Sequence, residues 1–163
     1  MLRRLVWCAW LGLMVAVAIA AAPAPSVAQS GFSAAENAVF KAYVLDAAKV
    51  NRFIAGLSAL AMAKQSDDAI AEEYERMDNE DGTSLAQLKA RLTRYPRIFA
   101  FFQRQNLTAD DAILIPLVMT FAGIAIAAPG QMADAVSPAQ VAFVRSNAAL
   151  VQRMSEANEA LEN

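Results

Sequence analysis

The residues best suited to chemistry are carboxylates, and half of the 16 acidic residues of the chain fall between positions 67 and 81. Carboxylates at this density are the ligands that Ca²⁺ prefers, and two of them in one cleft can hydrolyse a glycosidic bond. The cluster, called here the acidic segment, consists of Asp67, Asp68, Glu72, Glu73, Glu75, Asp78, Glu80 and Asp81.

Neither chemistry is well matched by the spacing. If Gly82 is the sixth position of a calcium loop, Met77 is the first and Leu88 the twelfth, and neither side chain binds Ca²⁺. A glycosidase cleft needs aromatic platforms, and Tyr74 is the one aromatic residue of the acidic segment. The sequence therefore favours a solvated acidic face at Asp67–Asp81, with weak carboxylate-based calcium binding as an open alternative.

A basic segment follows the acidic one, since no Asp or Glu occurs between Gly82 and Ala109. The order of charges predicts that the two segments pair in the fold, or that the basic one forms a docking face for a protein or an anionic small molecule. Nucleic acid is a poor partner for a chain of net negative charge. The basic residues are Lys89, Arg91, Arg94, Arg97 and Arg104.

The first 28 residues have the three parts of a secretory signal peptide. Arg3 and Arg4 form a positive start, Leu5–Ala22 is an apolar core, and Ser26-Val27-Ala28 presents small residues to a signal peptidase. We therefore expect cleavage after Ala28 and a periplasmic or secreted protein. The alternative is an uncleaved membrane anchor, because 18 apolar residues are just long enough to span a bilayer.

After loss of the signal peptide, the chain would lack several residue types on which many enzymes depend. Cys8, Trp7 and Trp10 all lie within it, and the chain has no histidine. Nucleophilic Ser-His and Cys-His sites and zinc, copper or haem centres then lack their residues, and no glycine-rich phosphate loop is present. The sequence therefore predicts no enzyme, no cofactor, and no catalytic or metal-binding residues.

The apolar segment 107–128 is the element that must organise the rest. Thr108 and Asp111 spell a capping box at its start, and Pro129-Gly130 ends it. Ala112–Ala128 carries no charge and as a helix spans about 25 Å, short of a bilayer core of about 30 Å. We expect a central buried helix. Its small residues around Gly123 would allow a neighbouring helix to approach closely. Membrane contact is the less favoured alternative.

The remaining segments read as amphipathic helices. Ser33–Glu36 marks a first helix, which runs on through Val44 or restarts at Asp46. Asp67 or Ser66 caps the next helix, and Pro96 ends one helix or opens another. Ser137-Pro138-Ala139-Gln140 opens a last helix that reaches Leu161. No alternating strand pattern occurs. The predicted fold is all-α, with five or six helices around the central apolar helix at about 107–128. The predicted organisation is a signal peptide (1–28), a flexible lead-in (29–36) and one helical domain (37–163).

Three segments resemble small exported helical proteins of Gram-negative bacteria that have no assigned function. They are Tyr43–Phe53, Asn106–Asp111 and Ser137–Arg145. The middle segment departs from the pattern, because it lacks a glycine before Leu107 and an aromatic residue near Ala112. The resemblance implies an exported helical domain and assigns neither an activity nor site residues.

Overall fold

A computed structural model describes residues 31–162, which form eight α-helices and contain no strand. The all-α prediction is confirmed, with more and shorter helices than the five or six expected. The predicted signal peptide and its cleavage after Ala28 lie outside the described residues. The helices are α1 (Ala34–Ala42), α2 (Ala47–Ser66), α3 (Asp68–Asp78), α4 (Leu85–Arg94), α5 (Pro96–Gln103), α6 (Ala109–Ala127), α7 (Pro138–Ser146) and α8 (Ala148–Glu162).

Side-chain caps set where most of these helices begin. The predicted capping boxes at Ser33, Thr108 and Ser137 are all present, and Asp46 caps α2. Ser84 forms a further, unpredicted capping box with Gln87 at the start of α4. Because the Ser33 box starts α1 at Ala34, the helix lies partly within the segment 29–36 that was expected to be a lead-in.

The prediction of one continuous helix from Ser137 to Leu161 is wrong. The chain leaves helical geometry at Asn147, whose backbone is at φ −124° and ψ 42°. The Asn147 side-chain amide donates a 2.8 Å bond to the carbonyl of Phe143, which competes with continuation of the helix. Helices α7 and α8 are therefore two elements, separated at Asn147.

Helix α6 supplies much of the hydrophobic core, as expected. Its residues are buried from Ala109 to Ala122 apart from Asp110 and Thr120, and Ile115, Val118 and Ala122 have no exposed surface. Helices α1, α2, α4 and α7 contact it. Its burial explains why Pro116 is tolerated inside the helix, since the apolar contacts outweigh a cost of about 3 kcal/mol.

The last two turns of α6 differ from the expectation of a helix covered on all sides. Residues 123–126 are half-buried and Ala127 is exposed. A Cβ built on Gly123 would meet no atom within 4 Å, so the predicted close helix contact at this glycine is wrong. The close approach occurs instead at Gly56 on α2, where a Cβ would lie 3.1 Å from Cδ1 of Phe102 on α5.

Candidate functional site

The acidic segment is used mainly to hold the fold together. The Asp67 carboxylate accepts the backbone N–H of Ala69 at 2.9 Å and so caps α3. The buried Glu73 carboxylate accepts the backbone N–H of Arg97 at 3.1 Å, which caps α5 from a neighbouring helix. Tyr95 provides no side-chain cap at that helix start, so Glu73 replaces the missing local cap.

Glu80 joins the acidic segment to the basic one. Its carboxylate accepts hydrogen bonds from the Tyr95 hydroxyl at 2.5 Å and from Arg94 at 2.7 Å, while its backbone carbonyl accepts one from Arg91. The bond from Tyr95 and the charge of Arg94 hold the pKa of Glu80 below its ordinary value, against the effect of burial. The predicted pairing of the two segments is therefore confirmed.

The remaining carboxylates of the acidic segment do not converge on a cation. Asp68, Glu72, Glu75 and Asp81 are exposed, and no group of three acidic, histidine or cysteine side chains among residues 31–162 is placed to hold a metal ion. Glu73 and Glu80 are engaged by Arg97, Arg94 and Tyr95. The geometry gives the calcium hypothesis no support.

A second polar cluster surrounds Asp111 at the start of α6. Its Oδ1 atom accepts the Tyr43 hydroxyl at 2.7 Å and the Lys49 ammonium at 2.9 Å, and its Oδ2 atom accepts the Thr108 hydroxyl at 2.8 Å. The Asp111 side chain is only 10% exposed. The sequence indicated Asp111 as a cap, but contained no local signal that Tyr43 and Lys49 would reach it.

The protonation states in this cluster do not favour acid–base catalysis. Burial raises the pKa of Asp111, but the bonds from Tyr43, Lys49 and Thr108 outweigh it, and the pKa lies well below its ordinary value. Burial and the bond to Asp111 raise the pKa of the Tyr43 hydroxyl far above its usual range. A general base needs a pKa near neutrality, and the pKa values of both groups are shifted away from it.

Helix α1 is tied to the fold by two further side chains. Gln140, which is 2% exposed, donates from Nε2 to the carbonyls of Phe40 at 2.7 Å and Tyr43 at 2.6 Å. Both carbonyls lie at the end of α1, where a helix leaves its last carbonyls without regular internal partners; that of Phe40 also accepts the backbone N–H of Tyr43 at 3.2 Å. Glu36 accepts the backbone N–H of Leu85 at 2.6 Å and so connects α1 to α4. Both contacts are structural and were not foreseen.

A groove of about 450 Å³ lies beside α5 and is a candidate for binding, since its lining combines apolar residues with exposed arginines. Arg97 and Arg104 stand along it, and the guanidinium of Arg104 lies 5.4 Å from the ring centre of Phe101. The Arg97 side chain is 60% exposed and only loosely paired with Glu73, at 3.8 Å. The lining residues are Ala63, Asp67, Ile70, Pro96, Arg97, Ala100, Phe101 and Arg104.

A second groove, of about 430 Å³, lies between α2 and α8. Its charged groups already have partners: Arg153 donates to the Asn51 side chain at 2.9 Å, and Glu156 accepts from Gln152 at 2.9 Å. The groove beside α5 therefore offers the better unsatisfied cationic surface.

Known proteins do not supply a function for either groove. The chain matches no protein-family model, and comparison with curated proteins and with solved structures finds no significant match. A functional assignment must therefore come from the residues themselves.

Proposed function

We propose that the protein is an exported helical domain, periplasmic or secreted, that works by binding a protein or a small molecule and not by catalysis. The N-terminal signal sequence and its expected cleavage after Ala28 support the localisation. The resemblance to small exported helical proteins points the same way. The absence of histidine from the sequence and the pKa values at Asp111 support a non-catalytic role.

The binding role is supported by which basic side chains of the basic segment have ion-pair partners and which do not. Lys89 pairs with Asp110 at 2.8 Å, and Arg91 and Arg94 are engaged by Glu80. Within residues 31–162, Arg104 forms no ion pair, and Arg97 has only its 3.8 Å contact. The two least neutralised arginines of the segment thus line the same groove, which suits an anionic partner.

The proposal is tested by following the full-length chain, tagged at its C-terminus, in a Gram-negative host. We expect the protein in the periplasm or the medium, released from membranes by alkaline carbonate. We also expect chemical cross-linking there to join it to a partner, and the Arg97→Gln/Arg104→Gln double variant to lose that product. Arg145→Gln, a change at an exposed arginine on α7, is the matched control. Retention in the cytoplasm would overturn the proposal.

Membrane association is a second candidate function, because α6 leaves apolar residues uncovered. Among the described helices, α6 is long and apolar enough to cross a membrane, although most of it is buried. Its half-buried last turns or an uncleaved Leu5–Ala22 segment would provide the attachment. Resistance to extraction by alkaline carbonate would favour this candidate over the exported soluble domain.

A further inference from the structure

Three residues of α5 and Arg104, the residue that follows its last turn in helical geometry, have the spacing of one helix face. Arg97, Ala100, Phe101 and Arg104 stand at positions i, i+3, i+4 and i+7, and all four line the groove. Side chains at this spacing lie above one another on a helix. The two arginines are therefore separated by about 10 Å along the axis, with a small and an aromatic residue between them.

The groove between the arginines is mainly apolar, with Asp67 as the acidic residue of its lining. Ala63 from α2, Ile70 from α3, and Pro96 and Phe101 from α5 contribute to its lining. Phe101 is half-buried, so part of its ring is accessible to a ligand. The guanidinium of Arg104 lies 5.4 Å from the ring centre of Phe101, a cation–π distance, and both residues line the groove.

We propose that this groove binds an acidic amphipathic helix of a partner protein, with two carboxylates seven positions apart and apolar residues between them. This inference rests on the binding role proposed above and specifies the partner. Carboxylates at i and i+7 of a helix repeat the spacing of Arg97 and Arg104, and arginine binds a carboxylate in a planar, two-bonded geometry. An amphipathic helix lying in an apolar groove is a common mode of recognition.

The charges around the groove favour a single acidic helix over an anionic membrane as the ligand. Asp67 lies in the lining as well as the two arginines, and the exposed carboxylates of Asp68 and Glu72 follow it on α3. A flat anionic membrane would bring its head groups towards these carboxylates and be repelled. A single helix places its own acids against α5 and its apolar stripe in the groove.

The test measures fluorescence anisotropy of a labelled, end-capped 15-residue helical peptide titrated with the purified chain starting at Gln29. The peptide carries glutamates seven positions apart, with alanine and leucine between them. One control peptide replaces the glutamates by lysines, and another moves them to opposite faces of the helix. Vesicles of phosphatidylglycerol, tested by co-sedimentation, form the membrane arm. Circular dichroism checks that each protein variant is folded.

We expect saturable binding of the first peptide and at least about tenfold weaker binding to Arg97→Gln/Arg104→Gln. Two controls distinguish groove recognition from general charge attraction. The first peptide should bind Arg145→Gln as it binds the wild type, and the control peptides should not bind. No binding of the first peptide, equal loss in Arg145→Gln, or binding to vesicles alone would overturn this inference. Export and a cross-linked partner lost in the double variant would still support the broader binding role.

Discussion

The Tyr43 hydroxyl donates a 2.7 Å hydrogen bond to Oδ1 of Asp111, although the two residues lie 68 positions apart in the chain. Lys49 shares the same carboxylate oxygen at 2.9 Å. The connection between α1 and α2 and the start of α2 are thereby both fixed to the N-terminus of α6. One carboxylate caps a helix locally and joins three parts of the fold.

Replacement of Asp111 by asparagine should lower the free energy of unfolding by about 1–3 kcal/mol at pH 7, because it removes bonds to a largely buried charge. Chemical denaturation followed by circular dichroism measures the change. Asp110→Asn is the matched control: its pair with Lys89 joins side chains that are 52% and 48% exposed, and such pairs contribute about 0–1 kcal/mol. An equal loss in both variants would contradict the role given to Asp111.

The same carboxylate predicts how stability depends on acid. Its pKa in the fold is lower than its ordinary unfolded value of about 3.9. Its contribution is therefore complete above that value and is lost as the pH falls towards the lower, folded pKa. We expect the free energy of unfolding to fall below about pH 5, with a shallower fall in Asp111→Asn.

Comparison with Asp111→Asn separates this effect from other acids. Glu36 and Glu80 also have lowered pKa values, whereas burial raises the pKa of Asp78, which acts in the opposite direction. All three are unchanged in the variant. Identical slopes below pH 5 for wild type and Asp111→Asn would show that Asp111 does not hold its proton as weakly as inferred.

Gln140 should be the main determinant of how firmly α1 is held. Gln140→Leu keeps a similar volume but removes the side-chain donor to the carbonyls of Phe40 and Tyr43 and leaves Phe40 with the Tyr43 N–H alone, at an expected cost of about 1–3 kcal/mol. Hydrogen exchange should accelerate first in α1. Gln152→Leu is the control, because Gln152 is exposed and bonds only to exposed Glu156. Unchanged exchange in α1 would refute the assigned role.

The sequence is sufficient to predict a contact when the residues that form it lie within a few positions of each other. The boxes at Ser33, Thr108 and Ser137 each join residues three apart, so their pattern is visible without a fold. The cap that Glu73 supplies to Arg97 joins residues 24 apart, and the bond from Gln140 to Phe40 joins residues 100 apart. No local pattern predicts either contact: Glu73 resembles the other acids around it, and Gln140 is recognisable only as the capping partner of Ser137.

The candidate groove was predictable only in part for the same reason. The acid-free run after Gly82 indicated a basic face, but all five of its basic residues look alike in sequence. A basic residue that forms an ion pair with Glu80 or Asp110 no longer has its charge available to a ligand. Only the tertiary arrangement identifies Arg97 and Arg104 as the pair lining one groove.

The export hypothesis makes a prediction that mass spectrometry can decide. We expect the protein recovered from the periplasm or medium to begin at Gln29, because Ser26-Val27-Ala28 suits signal peptidase. It should show no tryptophan fluorescence, since Trp7 and Trp10 both precede that position. A precursor with Ala28→Leu serves as the control and should accumulate uncleaved. An intact mass that includes both tryptophans in the wild-type protein would exclude cleavage.

Gly56 and Gly123 should respond in opposite ways to the same substitution. At Gly56 a Cβ would lie 3.1 Å from Cδ1 of Phe102 and 3.3 Å from the carbonyl oxygen of Phe101. Leucine there should separate α2 from α5 and cost about 1–3 kcal/mol or more through overpacking. At Gly123 no atom obstructs a Cβ, so leucine should stabilise α6 by about 0.5–1 kcal/mol through its better helix propensity.

Thermal unfolding of the two variants and the wild type measures both the predicted loss of stability at Gly56 and the predicted gain at Gly123. Because the substitution is identical, any general effect of adding leucine to the protein appears in both variants and cancels in their difference. Destabilisation by Gly123→Leu would mean that another helix covers the end of α6. A neutral Gly56→Leu would mean that α5 is free to move away from α2, and the groove beside α5 would then lack the fixed wall on which its arginine spacing depends.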